Sequence, residues 1–349
     1  MFELKKIVRK NILDLQPYSS ARDEFTGKEG IFLDANENPF GTLNRYPDPY
    51  QQELKSILAE QMGVKENQLF VGNGSDEVID LLFRVFCNPG QDKAVTFSPT
   101  YGMYDVSAAI NDVELSKLPL TESFQIDVEP AVNEIVKRDV KLTFVCSPNN
   151  PTGNAFPRKD IEELLKNTSG IVVVDEAYID FSETKSVIDL IEIYPNLVVT
   201  QTMSKARGLA AVRVGFAFAI EEIITLLNKV KPPYNVSGLN QKTAIDALLN
   251  NKLYQSNVKI IIAQREELRQ KLSDLDSVVK IYPTDANFLL VEFKNADDTY
   301  EALIKRKVIV RNRTKVVNNC IRISIGTPVE NSRLITELKQ IENEKSIVY

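Results

Sequence analysis

The chain has 349 residues and a mass of 39.4 kDa, enough for a large buried core and, as a first expectation, two domains. Hydrophobic residues make up 43% and charged residues 26%, which disfavours a disordered, collagen-like or coiled-coil chain. The net charge of -6 disfavours a dedicated nucleic-acid binder, whose surface would be basic.

Histidine is absent from the sequence. Its absence excludes Ser-His-Asp and Cys-His nucleophiles and metal sites with histidine ligands. A proton must therefore be moved by lysine, tyrosine, cysteine or a carboxylate, and we expect no metal.

Three cysteines, Cys87, Cys146 and Cys320, lie far apart and form no Cys-x-x-Cys motif. This sparse, odd number predicts buried thiols in a reducing compartment. The first residues carry positive charge without a following apolar stretch, so we expect no secretory signal, and the apolar runs are too short to span a bilayer. The sequence therefore predicts a cytoplasmic protein with no membrane partner.

Helices and strands are predicted to alternate through the middle of the chain. Residues 1–30 are polar with a short helical stretch, and residues 31–50 carry three prolines, which predicts an ordered loop. Apolar periodicity predicts helices at Gln51–Met62, Asp76–Phe86 and Arg158–Lys166. Short apolar runs predict strands at Lys93–Phe97, Leu142–Cys146, Ile171–Val174, Leu197–Thr200 and Gly215–Ile220.

The last third of the chain has a different pattern. A turn at Lys231–Asn235 precedes a long helical region from about Asn240 to Lys271. A strand, a charged helix and two further strands follow, at Phe288–Phe293, Asp297–Lys307, Val308–Arg311 and Ile321–Ile325. The chain is thus predicted to be α/β, with a mostly parallel sheet covered on both faces and a smaller α+β domain after it.

Polar residues and glycines cluster after the predicted strands, at the edge where an open parallel sheet binds ligands. Lys205 ends the segment Thr202–Lys205, and Arg213 comes eight residues later. A lysine there can form an imine with an aldehyde when burial and nearby cations lower its pKa. Thr202, Ser204 and Arg213 can hold a phosphate. The alternative is an ordinary surface lysine at a turn.

Two more strands end in polar residues. Asp175 ends an apolar run and precedes Glu176-Ala177-Tyr178. Its carboxylate needs a cationic or donor partner, for which a protonated pyridine nitrogen would serve; the alternative is a helix N-cap. Asn150, in the turn segment Asn149–Gly153, can donate to a phenolate oxygen, and the alternative is a plain turn.

Further candidates are weaker taken singly. Gly72–Glu77 opens a helix whose N-terminus favours an anion, although it also makes an ordinary helix start and matches neither Walker A nor G-x-G-x-x-G. Tyr101 follows a strand and can stack on an aromatic ring or be a core tyrosine. Arg311 and Arg322 lie in the tail. Arg322 interrupts an apolar strand, which indicates either a bound anion, an internal salt bridge or an outward position.

In this order, the segments resemble the fold-type I pyridoxal-phosphate aminotransferases over essentially the whole chain. The class is indicated by Asn150–Gly153, Asp175–Tyr178 and Ser204-Lys205 with Arg213. Within the class, the chain is similar to the histidinol-phosphate aminotransferase family (class II). That narrower resemblance rests on Gln16–Tyr18, Leu33–Pro39, Arg45–Asp48 and Gly72–Glu77.

The resemblance implies a large domain at residues 31–240 with a mostly parallel seven-stranded sheet, and a small α+β domain at 241–349 that the N-terminal arm, residues 1–30, joins. Lys205 would carry the pyridoxal 5'-phosphate through an imine, and Asp175 would pair with the pyridinium nitrogen. Asn150 and Tyr178 would bind the phenolic oxygen, and Tyr101 would stack on the ring. The cofactor phosphate would be surrounded by Gly74, Ser75, Asp76, Thr202, Ser204 and Arg213.

Other implied roles concern the partner subunit and the substrates. Tyr46 would reach the cofactor phosphate of the other subunit, so a homodimer is expected. Arg322 would bind a substrate carboxylate or phosphate, and Arg311 and Tyr18 would help with the second anion. Asn36 would close over the substrate. After Tyr18, the arm departs from many relatives, at residues 19–22.

The implied reaction is reversible transamination, from histidinol phosphate and 2-oxoglutarate to imidazole-acetol phosphate and glutamate, in histidine biosynthesis. Lysine would be the base, so a chain without histidine can perform it. The alternatives within the fold are an aromatic amino-acid aminotransferase and a threonine-phosphate decarboxylase. An alternative of another class is a non-catalytic regulator that uses the same fold to sense a ligand.

Overall fold

A computed structural model describes residues 2–18 and 30–347, the last three of these as backbone. The described residues form two units around separate sheets. The larger unit holds a seven-stranded sheet in the order β1-β7-β6-β5-β4-β2-β3. Its strands are β1 (Leu69–Gly72), β2 (Lys93–Ser98), β3 (Glu114–Pro119), β4 (Leu142–Cys146), β5 (Ile171–Asp175), β6 (Leu197–Thr202) and β7 (Gly215–Phe218).

The prediction of a mostly parallel seven-stranded sheet is confirmed. Neighbouring strands from β3 to β6 pair in parallel, and β7 pairs antiparallel with both β6 and β1. Every residue of β4 and β5 is buried, because helices cover both faces of the sheet. This explains why both strands have nearly continuous apolar sequences.

The helices of the larger unit pack on both faces of this sheet. One core lies beneath α3, α6, α7 and α9, and the other lies beneath α4, α5 and α8. Their bounds are α3 (Gln52–Met62), α4 (Ser75–Phe86), α5 (Met103–Ile110), α6 (Val128–Lys137), α7 (Arg158–Asn167), α8 (Glu221–Val230) and α9 (Gly238–Leu249).

The smaller unit has an antiparallel four-stranded sheet in the order β10-β11-β9-β8, with a core shared with α10, α11 and α12. Its strands are β8 (Val278–Ile281), β9 (Phe288–Phe293), β10 (Arg311–Asn312) and β11 (Cys320–Ser324). Its helices are α10 (Asn251–Ser273), α11 (Ala296–Lys305) and α12 (Pro328–Ile347).

The long predicted helical region is two helices that meet at Asn250. Ala244 and Leu248 of α9 are buried in the core of the larger unit, whereas Leu268 and Leu272 of α10 are buried in that of the smaller unit. Packing therefore extends the larger unit to the end of α9, rather than to residue 240.

The N-terminal segment packs on the larger unit through two short helices, α1 (Leu4–Ile7) and α2 (Lys10–Asp14). Its apolar side chains are buried with those of α4 and α8, and the N–H of Arg9 donates to the carbonyl of Val85 at 3.0 Å. The prediction that this arm joins the small domain is therefore wrong for residues 2–14. Their apolar residues complete a core whose helices lie far along the chain.

Cys87, Cys146 and Cys320 are buried free thiols. Among the helices that the structure describes, none combines the length and the apolar character needed to cross a bilayer. Within residues 2–18 and 30–347, no group of three or more Cys, Asp or Glu side chains is placed to hold a metal ion.

Candidate active site

A pocket opens beside the carboxyl ends of β4, β5 and β6, the edge where ligands bind in open α/β sheets. Its wall brings together residues that lie far apart in the chain. The predicted site residues among them are Ser75, Asp76, Tyr101, Asn150, Asp175, Tyr178, Thr202, Ser204, Lys205 and Arg213.

Asp175 is the last residue of β5 and is 2% exposed. Its carboxylate accepts from the hydroxyl of Tyr104 at 2.8 Å and from the N–H of Ala177 at 3.2 Å. Burial raises the pKa of Asp175, although these two donors oppose the shift. A cationic ring nitrogen placed against this carboxylate would favour its charged form. Tyr104 has no counterpart among the predicted residues, because its helix α5 was not predicted.

Lys205 lies in the loop that follows β6, with its Nζ 5.6 Å from the centroid of the Tyr178 ring. Burial lowers the pKa of Lys205, and the cations Arg322 and Arg213 shift it in the same direction, while Asp175 and Asp76 oppose them. A lowered pKa increases the share of neutral amine, which is the form that attacks a carbonyl carbon.

One end of the pocket is an anion-binding cradle formed by Arg213, Ser204, Thr202 and the start of α4. Arg213 donates to Ser204 Oγ at 3.3 Å and pairs with Asp76 at 3.2 Å, and the N–H of Ser204 donates to Thr202 Oγ1 at 3.1 Å. Gly74 precedes α4 with a φ of +80°, and a Cβ there would lie 2.6 Å from Arg213 Nη2. Glycine therefore allows the guanidinium to approach the N–H groups of the first turn, which have no partner within the helix.

The smaller unit reaches the pocket through Arg322 of β11. Arg322 donates to Asn150 Oδ1, and the Nδ2 of Asn150 donates to the hydroxyl of Tyr178 at 3.3 Å. The Cζ of Arg322 also lies 5.3 Å from the centroid of the Phe288 ring. Asn150 is thus held between the two units, a contact that the sequence did not predict.

Four predicted residues lie apart from this pocket. Tyr46 stacks on Tyr234 with ring centroids 4.4 Å apart, and Tyr18 lines a separate depression. Asn36 lies in an exposed loop, and Arg311 is exposed on β10 opposite Arg322. The variable arm residues 19–22 fall outside the described residues. Within one chain, Tyr46, Tyr18 and Asn36 therefore do not line the pocket.

The pocket fits a phosphorylated pyridine aldehyde. The cradle offers a guanidinium, hydroxyls and a helix N-terminus to a phosphate. Asp175 is buried and makes no ion pair within the described residues, so it can accept a hydrogen bond from a protonated ring nitrogen. The Lys205 amine and the Asn150–Tyr178 pair supply an imine-forming group and donors for a phenolic oxygen.

Comparison with known proteins agrees with this chemistry. A family model described as aminotransferase class I and II matches residues 26–338. The chain therefore belongs to the aminotransferase class I and II family. It is 50% identical over 345 residues to a histidinol-phosphate aminotransferase of Cytophaga hutchinsonii, covering 97% of this chain and 99% of that protein. A protein of the same name from Parabacteroides distasonis is also 50% identical, with coverage of 98% and 100%.

Solved structures have the same fold at lower identity. The histidinol-phosphate aminotransferase of Clostridium acetobutylicum matches with a TM-score of 0.80 and 23% identity, covering 86% of this chain and 92% of that one. That of Sinorhizobium meliloti, in complex with pyridoxal-5'-phosphate, matches with a TM-score of 0.79 and 22% identity, covering 89% and 90%. The predicted fold type I architecture is confirmed.

Proposed function

We propose that this chain transfers an amino group reversibly from histidinol phosphate to 2-oxoglutarate, with pyridoxal 5'-phosphate as its cofactor, in histidine biosynthesis. The observation that carries the proposal is the grouping of Lys205, Asp175 and the anion-binding cradle in one pocket. The choice of substrate is supported by relatives 50% identical over nearly the whole chain that are named histidinol-phosphate aminotransferases.

When bound, the cofactor supplies an electron sink for charge that develops at the substrate carbon. Lys205 would hold it covalently through its side-chain amine, and the same amine would move a proton at the substrate carbon. Asp175 would keep the ring nitrogen protonated, because a cation would stabilise its buried charge. Asn150 and Tyr178 would orient the phenolic oxygen, and the Tyr101 ring would pack against the cofactor ring.

The cradle would hold the cofactor phosphate. Arg213 and the hydroxyls of Ser204 and Thr202 would contact it, together with the backbone at Gly74, Ser75 and Asp76. Arg322 donates a hydrogen bond to Asn150 in the site, and we assign it to bind a substrate anion. Arg311 lies beside it on the neighbouring strand.

We also infer a homodimer in the cytoplasm. The segment 31–46 presents apolar side chains to solvent, with Ile31 92%, Leu33 88% and Phe40 83% exposed. Its shape is fixed by Glu37, which accepts from Arg45 at 2.7 Å and from the N–H of Tyr46 at 2.6 Å. A second copy would cover this surface, with Tyr46 directed to its cofactor phosphate. The three free thiols fit a reducing compartment.

The test is an ultraviolet–visible spectrum of the purified chain loaded with pyridoxal 5'-phosphate and titrated with histidinol phosphate. We expect the cofactor absorbance to be discharged by histidinol phosphate and restored by 2-oxoglutarate. Lys205→Ala is the control, in which the borohydride-reducible bond should be absent.

Three other outcomes would contradict the proposed substrate, the proposed catalysis or the attachment at Lys205. Discharge by phenylalanine or threonine phosphate instead of histidinol phosphate would favour one of the sibling enzymes. Protein that stays colourless with added cofactor would favour the non-catalytic regulator. A borohydride-reducible bond retained by Lys205→Ala would move the attachment to another lysine.

A further inference from the structure

Three arginines lie on one face of the four-stranded sheet of the smaller unit, here called the arginine face. Arg311 of β10 pairs with Arg322 of β11, and the N–H of Arg313 donates to the carbonyl of Cys320 at 2.8 Å, which continues the ladder. Because side chains alternate between the two faces of a strand, Arg311, Arg313 and Arg322 share a face.

The arginine face is directed away from the helices of the smaller unit. Ile321 is buried in the core that these helices share with the sheet, and Asn312, between the first two arginines, donates to Asp297 of α11 at 2.6 Å. The opposite face therefore carries the guanidinium groups. The arginine face is directed to the larger unit, where Arg322 donates a hydrogen bond to Asn150 in the pocket.

The arginine face has donors without anionic partners. None of the three guanidinium groups makes an ion pair with another described residue. The Nε atoms of Arg313 and Arg322 are both buried and lack a hydrogen-bond partner among those residues. Burial lowers the pKa of Arg313, and the charges of Arg322 and Arg311 lower it further. An anion with several oxygens would satisfy these groups.

We infer that Arg313 is a specificity-determining residue that, with Arg311 and Arg322, favours a substrate phosphate over a carboxylate. The inference rests on the proposed function, whose two amino donors carry different anionic groups. Histidinol phosphate ends in a phosphate monoester and glutamate ends in a carboxylate. A phosphate offers three terminal oxygens and nearly two negative charges, so it can use a third guanidinium that a carboxylate cannot. Arg313 was not among the residues that the family resemblance implied.

The experiment compares Arg313→Met with the unaltered chain, both loaded with cofactor, in single-turnover titrations. Loss of one buried hydrogen bond to a charged group weakens binding by about ten- to a hundredfold. We expect the Kd of histidinol phosphate to rise by about that factor, while the Kd of glutamate changes by less than about threefold. Inorganic phosphate, titrated by calorimetry while the cofactor occupies its own cradle, should lose affinity without any turnover.

Lys315→Met is the matched control. It removes a positive charge from an exposed side chain in the same loop and should leave both Kd values within about twofold of the unaltered chain. Arg313→Lys keeps the charge but not the fork of donors, so it should recover part of the phosphate affinity.

An equal rise of both Kd values, or no change in either, overturns the inference. If Arg313→Met does not fold, Arg313→Gln gives the same comparison with a polar side chain. If the unaltered chain does not react with histidinol phosphate, the proposed function fails. The phosphate titration of the unaltered chain and of the Arg313 variant then still decides the inference.

Discussion

Asp175 is the residue at which charge matters most for the proposed chemistry. Its carboxylate is buried, and its two donors are the Tyr104 hydroxyl and the Ala177 N–H. Asp175→Asn keeps the size and removes the charge that would hold a ring nitrogen protonated. We expect turnover to fall by about 100- to 1,000-fold in steady-state assays, while cofactor still binds.

Tyr104→Phe is the control for that substitution. It removes one donor to Asp175 and keeps both the charge and the buried ring, so its loss of turnover should be much smaller. A near-normal rate in Asp175→Asn would contradict the role assigned to the carboxylate.

Glu176, the next residue, predicts a pH dependence of stability. It is 2% exposed, and burial raises its pKa from 4.5 to about 7, although Ser186, Val187 and Gln201 all donate to it. Between these pH values the folded chain holds a proton that the unfolded chain releases. Its contribution to stability is therefore complete below about pH 4.5 and is lost as the pH rises to about 7.

The glutamine side chain of Glu176→Gln cannot titrate, so this variant should not lose stability in this way as the pH rises. Relative to the unaltered chain, its free energy of unfolding should increase by about 2–3 kcal/mol between pH 5 and pH 8, measured by urea unfolding. Glu183→Gln, at a nearby exposed carboxylate, should show no such change. Parallel stability profiles for all three proteins would refute the assignment.

At the scale of elements, α10 holds the two units together through Arg265. Its side chain is buried and donates to the carbonyls of Phe181, at 3.2 Å, and Ala286, at 3.0 Å. Arg265→Met leaves both carbonyls without this donor, and we expect a loss of about 2–4 kcal/mol in the free energy of unfolding. Arg269→Met, one turn further on, removes an exposed side chain paired with Glu266 and should cost less than about 0.5 kcal/mol. Equal losses would show that the two carbonyls do not matter.

Elements with two covered faces were predictable, and edge elements were not. β4 and β5 have nearly continuous apolar sequences, because helices pack on both faces. β3 lies at the edge of the sheet, carries polar residues and ends in Pro119, so its sequence lacks a strand pattern. The break at Asn250 between α9 and α10 was also missed, because no proline or glycine marks it.

At the scale of the whole molecule, the proposed homodimer gives a further prediction. Phe40 is 83% exposed on the segment 31–46, and burial of an aromatic side chain is a large favourable term in association. In sedimentation experiments we expect the unaltered chain to be a dimer and Phe40→Glu to raise the dimer Kd by at least about tenfold.

Val329→Glu is the matched control for the dimer. Val329 is 78% exposed on the smaller unit, and its substitution should leave the dimer Kd unchanged. A monomeric unaltered chain at all concentrations would disprove the homodimer.

The sequence by itself determined which chemical groups meet at the sheet edge. Asp175 ends a strand, and Asn150 and Lys205 each follow one; parallel strands carry their carboxyl ends to one edge however far apart they lie in the chain. The tertiary structure decided the rest. It placed residues 2–14 of the N-terminal arm on the larger unit, the Tyr104 hydroxyl against Asp175, and Arg322 of the arginine face against Asn150 of the pocket. These contacts depend on how separate elements pack, which no local pattern encodes.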